Sequence, residues 1–386
     1  MNKEYCPICD SDKFEYLYTQ NFYNKTISPI DKYNVVVCKE CNFIFATPLP
    51  DQEEFNNYYS EISRYEFNHN DGVVSKSYID YTNSIINFLT PYINRDSSIL
   101  DIGCSTGTLL SLFQKRGYTN LFGIDPSISC TSTVKNRYNI DTEAATISTF
   151  NTNKKFDVII LSAVLEHVVD LKFSLNKIKS FLKEDGILFI EIPDASRFKD
   201  LIFTPFQQFS IEHIRYFTKS SIHNLLASCN MQIINIYRTL NTGNQTIDPN
   251  LFVMCSLSNK KLKFKKNVID IISIKKYIRK SKRKEQKEKN TLNNIISKYD
   301  KFLVWGVGTN TQRILGDSFN LAKIKYFIDS NINYVGKKLH DIDIILPTEI
   351  KDNLPILILT YSYQDEIINY IQNELKLNNE IITFYE

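Results

Sequence analysis

Two Glu-His dipeptides occur in the chain, Glu166–His167 and Glu212–His213, and the second lies within the apolar and aromatic stretch FSIEHIRYFT. Imidazole titrates near neutral pH and is therefore the side chain best suited to accept a proton there, while an adjacent carboxylate can orient it or bind a hydroxyl group. His213 is accordingly a candidate general base, with Glu212 as its partner. The alternative is that His213 caps a helix or packs under the neighbouring aromatic rings.

Four cysteines near the amino terminus form two Cys-x-x-Cys pairs, Cys6 with Cys9 and Cys38 with Cys41. Two such pairs separated by a strand-rich spacer can place four thiolates in a tetrahedron, the arrangement that zinc favours. With cysteine at all four positions no coordination site stays open, so the predicted zinc is structural. The alternative is four buried or disulfide-bonded cysteines, but eight cysteines are few for a disulfide-stabilised chain of 386 residues.

A turn that contains two glycines follows the apolar strand predicted at Ile99–Ile102. Gly103 and Gly107 precede an amphipathic helix, and the next strand, LFGID, ends at Asp125. This is the first βαβ unit of a doubly wound sheet, whose ligands bind at the carboxyl ends of the strands. The Gly-x-Gly-x-x-Gly spacing of dinucleotide sites is absent. Asp101 would repel a pyrophosphate and attract a cation such as a sulfonium or an ammonium group.

The pattern Asp-x-Gly-x-x-x-Gly followed by an acid at the end of the next strand resembles the S-adenosylmethionine site of Rossmann-type methyltransferases. The resemblance implies that Asp101 and the two glycines line the methionine portion and that Asp125 binds both ribose hydroxyls. Ser105 stands where the common motif has glycine. KFDVIILSAVLEHV and LKEDGILFIEIPD resemble the fourth and fifth strands of that fold. The predicted cofactor-binding residues are Asp101, Gly103, Cys104, Ser105, Gly107, Asp125, Pro126, Ser162, Ala163 and His167. His167 is alternatively a base or a packing residue.

A second strand, glycine turn and helix begin at KFLVWGVGT, and the strand IKYFI is followed by Asp329, 21 residues after Gly308. This pattern predicts a Rossmann-like domain, although the third glycine of a dinucleotide site is missing. Such a domain either binds a ligand or only packs against its neighbour. The predicted substrate-binding residues are Tyr216, Gly306, Gly308, Thr309 and Asp329.

The net charge of +3 conceals a basic segment, because residues 260–289 contain 14 Lys and Arg against three acids. Its composition favours a solvated helical linker, and the alternative is a surface for nucleic acid or another anion. The sequence lacks an apolar run of membrane-spanning length and an apolar signal-peptide core, so we expect a cytoplasmic protein without a membrane span.

Taken in order, the zinc pairs, the DIGCSTGTLL and GIDPS motifs, the Glu-His loop and the WGVGT…FIDSN…GKKL segment resemble the zinc-containing sugar C-methyltransferases. The fold class is α/β. The expected domains are a zinc-binding lobe (1–70), a Rossmann-type S-adenosylmethionine domain (71–258), a basic helical linker (259–299) and a carboxyl-terminal Rossmann-like domain (300–386). The resemblance implies a nucleotide-linked sugar as the small-molecule substrate, with its nucleotide held by the last domain.

The acid–base loop of that family has the form Tyr-His-Glu-His followed by an aromatic pair. Glu212, His213 and the pair Tyr216–Phe217 match it, whereas Ser210 and Ile211 replace the tyrosine and the first histidine. Methylation of carbon, of a hydroxyl group or of another heteroatom therefore all stay open. Two other classes are alternatives: a zinc-knuckle RNA methyltransferase that uses the basic helix, and a non-catalytic protein with a vestigial cofactor fold.

Overall fold

The computed structural model describes residues 4–22, 28–61, 74–242, 247–260, 262–315 and 320–385. Within them the chain forms two compact units. The first comprises Met1–Leu17, Val35–Leu201 and Glu212–Lys275, and the second Tyr18–Asn34, Ile202–Ile211 and Lys276–Glu386. The predicted boundary at residues 70 and 71 lies outside the described residues. The cysteine-containing segment thus shares a unit with the predicted methyltransferase core.

Seventeen strands are assigned in the described residues, and eleven of them precede the basic segment. These are β1 Phe14–Asn21, β2 Lys32–Cys38, β3 Ile44–Thr47, β4 Ile99–Ile102, β5 Leu121–Asp125, β6 Asp141–Ala144, β7 Phe156–Ser162, β8 Leu182–Pro193, β9 Arg215–Tyr216, β10 Met231–Asn241 and β11 Asp248–Leu257. Strands β1, β2, β3 and β9 form a small sheet in that order, and the others form a seven-stranded sheet of order β10-β11-β8-β7-β4-β5-β6. β4, β5, β6, β7 and β8 are mutually parallel, while β11 is antiparallel to both of its neighbours. The chain switches direction across the sheet at β4, which is where a doubly wound fold binds its ligand.

Six α-helices are assigned among the described residues of the first unit. They are α1 Gln52–Glu61, α2 Lys76–Leu89, α3 Thr108–Lys115, α4 Ile128–Tyr138, α5 Leu171–Phe181 and α6 Lys219–Ser228. The sequence explains their starts. Ser75, Ser127 and Thr218 each accept a backbone N–H of the first turn, and Thr218 completes a capping box with Ser221. Apolar faces of α2 and α3 pack with the β4 strand in one core cluster, as their periodicity predicts.

The second unit has its own six-stranded sheet. Its strands are β12 Phe302–Trp305, β13 Ile324–Ile328, β14 Lys338–Leu339, β15 Ile342–Ile345, β16 Ile356–Ile358 and β17 Ile381–Thr383. The order is β14-β15-β13-β12-β16-β17, and among the described strands of this sheet only the β14–β15 pair is antiparallel. The helices of this region are α7 Val268–Ile296, α8 Thr309–Ile314 and α9 Gln364–Asn369. The basic segment contains α7, which begins at Val268, and its role as a linker stays a prediction.

The predicted strands at Ile99–Ile102 and LFGID have the expected bounds. The loop prediction for IEHIRYFT was wrong in one detail, because Arg215–Tyr216 forms β9 and pairs with Ile44 and Phe45 of β3. That pairing joins segments 170 residues apart in sequence, which no local pattern reveals. In the part of the chain that the structure describes, no helix has the length and apolar character needed to span a bilayer.

Candidate functional site

The glycine turn after β4 is built by left-handed backbone. Gly103 has a φ of 76°, and a Cβ there would approach Cγ2 of Val164 to 2.8 Å. Its N–H donates to the carbonyl oxygen of Ile124 at 2.8 Å. Gly107, with a φ of 80°, precedes α3, and a Cβ on it would meet Val134 at 2.7 Å. Both glycines are therefore required by conformation and by space.

Two carboxylates converge on this turn from adjacent parallel strands. Asp125 accepts the N–H of Ser105 on Oδ2 and that of Ser127 on Oδ1, both at 2.9 Å. Asp101 is 2% exposed. Burial and the charge of Asp125 raise the pKa of Asp101 to about 7. A site with two buried acids is electrostatically suited to a cationic group, which would favour the ionised form of Asp101.

The other predicted cofactor residues lie along the same edge of the sheet. Ser105 has a positive φ of 48°, so serine occupies a position where the common motif has glycine. The thiol of Cys104 points toward β5, since its Sγ would lie 2.7 Å from a Cβ built on Gly123. Only its backbone is thus available to a ligand. Pro126 is half-buried directly after Asp125.

The end of β7 carries Ser162 and Ala163, and Ala163 has a positive φ of 55°. The Ser162 hydroxyl donates to Glu191 Oε2, and the N–H of Ala163 donates to the Glu191 carbonyl at 3.1 Å. Tyr81 and Asn250 both donate to the other carboxylate oxygen of Glu191. Burial raises the pKa of Glu191, and these three donors oppose that shift. Sequence reasoning missed Glu191, although a single acid in the apolar strand LFIEI is an informative signal.

The structure brings the two Glu-His dipeptides together. The Ile214 N–H donates to the Glu166 carbonyl at 3.0 Å, and the His167 Nδ1 lies 2.9 Å from the Glu212 carbonyl oxygen. The ring centroids of His167 and His213 are 5.0 Å apart. His167 follows β7 as predicted, and these contacts group it with the candidate acid–base residues.

Two tyrosines of α1 complete this cluster. The Tyr58 hydroxyl donates to Glu212 Oε1 at 3.2 Å, and the Tyr59 hydroxyl lies 3.2 Å from the His167 Nδ1. Neither was predicted, because α1 lies more than 100 residues before its partners and its pattern shows only an ordinary helix. Glu166 is 1% exposed, and burial raises its pKa to about 8.

The strand that follows His213 is fixed by a buried arginine. Arg215 donates through Nε to the Val168 carbonyl at 3.0 Å and through Nη2 to the Val169 carbonyl at 2.8 Å. Burial lowers the Arg215 pKa to about 10, so the guanidinium keeps its charge at neutral pH. Tyr216 is 1% exposed. It occupies a packing position, and its role as a substrate contact stays a prediction.

The four cysteines are close together. Their Sγ atoms all lie within 4.8 Å of one another, and the Cys6–Cys41 and Cys9–Cys38 pairs are 3.5 Å apart. Thiolates bound tetrahedrally at about 2.3 Å from one zinc ion are about 3.8 Å apart. All four thiols are free of disulfides. The donor set and its spacing therefore fit zinc.

Both cysteine pairs have the same backbone turn. The carbonyl of Cys6 accepts the N–H of Asp10 at 3.0 Å, and that of Cys38 accepts the N–H of Asn42 at 2.9 Å. Asp10 and Asn42 have φ values of 58° and 62°. Aspartate and asparagine tolerate this left-handed conformation better than most residues. The two turns are thus related repeats that present four thiols to one point.

In the second unit the turn after β12 contains Gly306 and Gly308. Gly306 has a φ of 97°, and a Cβ on it would lie 2.2 Å from the Thr360 Oγ1. Asp329 accepts the Val307 N–H on Oδ2 at 3.0 Å. Thr309 begins α8. The four predicted residues Gly306, Gly308, Thr309 and Asp329 therefore belong to one glycine turn and the strand end beside it.

A buried ion-pair group near this turn was not predicted. Arg313 is on α8, and its side chain is 5% exposed. It contacts Glu285 at 3.0 Å and Glu288 at 3.2 Å, and donates to the Asn310 side-chain oxygen at 2.9 Å. The two acids lie on α7, so part of the basic segment has a structural role within the second unit.

Residues 76–236 match the family model described as a methyltransferase domain. A ubiquinone biosynthesis O-methyltransferase from Pelagibacter ubique is 34% identical over 101 residues, which cover 25% of this chain and 42% of that protein. An (S)-coclaurine N-methyltransferase from Papaver somniferum is 28% identical over 109 residues, covering 26% of this chain and 30% of that protein. The chain thus spans less than half the length of each relative.

A solved S-adenosylmethionine-dependent methyltransferase from Clostridium acetobutylicum is 17% identical, with a TM-score of 0.39 over 54% of this chain and 99% of that one. The family match and the strand order establish the fold of this region. It is the α/β fold of the Rossmann-type S-adenosylmethionine-dependent methyltransferases.

Proposed function

From the methyltransferase domain at residues 76–236, we propose that the chain transfers the methyl group of S-adenosylmethionine to a nucleotide-linked sugar, at carbon or at a hydroxyl group. One observation carries the proposal. The Glu212–His213 loop is hydrogen-bonded to Glu166 and His167, which follow β7 at the carboxyl edge of the sheet. An acid–base pair at that edge is placed to act on a substrate that approaches the cofactor.

The cofactor would be held by the residues at the β4 and β5 strand ends, and it supplies an activated methyl group on a sulfonium. Asp101 would attract the cationic methionine portion. Asp125 accepts one backbone N–H on each oxygen, and its carboxylate would accept hydrogen bonds from the ribose hydroxyls. The left-handed turn at Gly103 would let a ligand approach bare backbone. The residues present therefore fit this cofactor.

The protein has two chemical tasks, to align the acceptor atom with the methyl group and to remove a proton from the acceptor. In the displacement, a bond forms between the acceptor atom and the methyl carbon while the carbon–sulfur bond breaks, and the pair of electrons stays on sulfur. His213 would accept the acceptor's proton, from a hydroxyl group or from the carbon beside a ketone. Glu212, held by Tyr58, would orient the imidazole or bind a substrate hydroxyl. Holding the acceptor in line supplies the larger share of the rate enhancement.

The nucleotide portion would be held by the second unit. In that sheet β12 lies between β13 and β16, and the order of the strands reverses at β12. The glycine turn of Gly306 directly follows β12. Doubly wound sheets bind nucleotides at such a switch point. Asp329 would bind a ribose hydroxyl, and the backbone of Gly308 and Thr309 would face the phosphates. Zinc at the four cysteines would stabilise the amino-terminal lobe without taking part in the chemistry.

The relatives leave the acceptor atom open, since one is named for O-methylation and another for N-methylation. A methyl-transfer assay with isotopically labelled S-adenosylmethionine decides it. The acceptor panel should contain nucleoside diphosphate ketosugars, the matching hydroxy sugars and an unrelated RNA. We expect label in a sugar, and magnetic resonance of the product assigns it to carbon or oxygen.

His213→Ala should lower turnover at least about a hundredfold, the usual contribution of a general base. His223→Ala is the matched control, because His223 is a half-buried histidine on α6 and should keep normal turnover. Label transferred to RNA alone would overturn the proposed substrate class. Near-normal turnover of His213→Ala would overturn the base assignment while leaving methyl transfer intact.

A further inference from the structure

A second group of metal-ligating side chains lies apart from the four cysteines. One donor atom each from Glu166, His167 and His213 falls within 4.8 Å of the others. Three donors bound at about 2.0–2.2 Å from one cation are about 3–4 Å apart. Side-chain movements of about 1–2 Å at most would therefore place all three around a single ion.

The carboxylate of Glu166 is the strongest sign of a ligand. The residue is 1% exposed, and its Oε2 has no hydrogen-bond partner among the described residues. A buried acceptor without a donor costs about 1–3 kcal/mol, and more when it is charged. A cation between this oxygen and the two imidazoles would remove that cost.

The tautomer of His167 is also suited to metal binding. Its Nδ1 faces the Glu212 carbonyl oxygen at 2.9 Å. A carbonyl only accepts hydrogen bonds, so this contact requires the proton on Nδ1, and Nε2 is then the ring nitrogen that would bind the ion. Metal-binding histidines are commonly oriented in this way, by a carbonyl on the second ring nitrogen. The Tyr59 hydroxyl, 3.2 Å from the same Nδ1, further restricts the ring.

We propose that Glu166, His167 and His213 bind one divalent first-row transition-metal ion, separate from the zinc at the cysteines. Two imidazoles and one carboxylate suit manganese, iron, cobalt or zinc, whereas four thiolates select zinc. Three protein ligands leave coordination positions for water or for an oxygen of the acceptor. The lone pair of His213 cannot hold the ion and accept a proton at once. This site rests on the proposed function in one respect. His213 either binds the ion or acts as the general base of methyl transfer, and it cannot do both at once.

Manganese is the probe that separates the two sites, because it is the weakest competitor for thiolates in the first-row series. The whole 386-residue chain is first loaded with zinc, and one zinc per chain is confirmed by metal analysis. Manganese alone is then titrated, and loss of the free-ion electron paramagnetic resonance signal measures binding. We expect one further equivalent to bind while the zinc stays in place.

The variants Glu166→Gln, His167→Ala and His213→Ala should each weaken manganese binding at least about tenfold. Matched controls are Glu212→Gln and His223→Ala, an acid and a histidine outside the group, which should bind as the parent does. Circular dichroism and the midpoint of thermal unfolding verify that each variant is folded. His213 is half-buried, so its substitution provides a second test if Glu166→Gln disturbs the core.

No manganese binding at millimolar concentration, or binding that all three ligand variants leave unchanged, would overturn the site. The titration uses neither acceptor nor turnover. If the protein does not methylate a sugar, the manganese titration can still show the metal site. If no manganese binds, the methyl-transfer assay can still show methylation of a sugar.

Discussion

The two parallel sheets, one in each compact unit, end their first two strands with the same backbone arrangement. In the first unit the Gly103 N–H donates to the Ile124 carbonyl at 2.8 Å, and in the second the Gly306 N–H donates to the Ile328 carbonyl at 2.8 Å. Both glycines have positive φ. Each residue of one turn therefore has an equivalent position in the other turn, and the chemistry of the two turns can be compared position by position.

The acid beyond the second strand is part of the shared arrangement. Asp125 and Asp329 each use Oδ2 to accept an amide of the glycine turn, at 2.9 and 3.0 Å, and Oδ1 to accept the amide two residues further on, at 2.9 Å. Such an acid fixes the turn before any ligand binds. Its presence in a sequence therefore predicts a Rossmann-like turn and does not by itself identify the ligand.

The two sheets differ at the position two residues before the first glycine of each turn. It is Asp101 in the first unit and Val304 in the second, and both are buried. Two acids converge on the first turn, whereas the second has one acid beside an apolar residue. The first turn is therefore suited to a cation, and the second to a ligand that is neutral or anionic where it meets the strand end.

The largest difference between the units should come from the cysteines, which lie only in the first. Cys38→Ser removes a ligand of the proposed zinc. Zinc held at about a thousand times its Kd stabilises a fold by about 4 kcal/mol, so the variant should lose at least that much. Chemical denaturation with a fluorescence readout measures it.

A chelator should destabilise the parent protein in the same way and leave Cys38→Ser unchanged. Cys255→Ser is the control, since Cys255 is a buried cysteine outside the cluster. Loss of stability in Cys255→Ser alone, with Cys38→Ser as stable as the parent, would contradict a structural metal.

Placing an acid in the second sheet tests the comparison directly. Val304→Asp puts an unpaired carboxylate at a fully buried position and should cost about 3–5 kcal/mol. Burial would raise the pKa of the new acid above its usual value. The stability deficit should therefore be smallest at low pH and grow as pH rises through that pKa.

Unfolding measured at several pH values checks this, with Val304→Thr as the uncharged control. A deficit that is independent of pH would mean that the position is not equivalent to that of Asp101 in its electrostatics.

The elements that local sequence patterns encode were predicted correctly. The strands at Ile99–Ile102 and Leu121–Asp125 were predicted because apolar runs ended by glycine and aspartate are local signals. The grouping of His167 with Glu212 and His213 was not predicted, nor was the contact of Tyr58 with Glu212. These contacts join residues 45 and 154 positions apart. They depend on packing between elements, which a single sequence does not specify.

The pH dependence of cofactor affinity is a smaller test of the first turn. The pKa of Asp101 is raised to about 7 by burial and by the charge of Asp125. Asp101 is mostly protonated at pH 6 and mostly ionised at pH 8. If the ionised form binds the cation, S-adenosylmethionine affinity should rise about tenfold between these pH values.

Calorimetric titration at both pH values measures the change. Asp101→Asn should remove the dependence and bind weakly throughout, while Asp329→Asn in the second unit should retain it. An unchanged slope in Asp101→Asn would assign the proton to another group.

The smallest effects should come from the glycines that precede α3 and α8, and they should have opposite signs. Gly107 has a positive φ and Val134 at 2.7 Å from a Cβ position. Gly107→Ala should therefore destabilise the fold by at least about 1 kcal/mol. Gly308 has a φ of −68°, and no described atom lies within 4 Å of its Cβ position. Gly308→Ala should stabilise by about 0.4–1 kcal/mol, because alanine reduces the entropy of the unfolded chain. Denaturant midpoints at constant m-value measure both variants. If Gly308→Ala is stabilising and yet weakens nucleotide binding, the free space at Gly308 is kept for a ligand and not for folding.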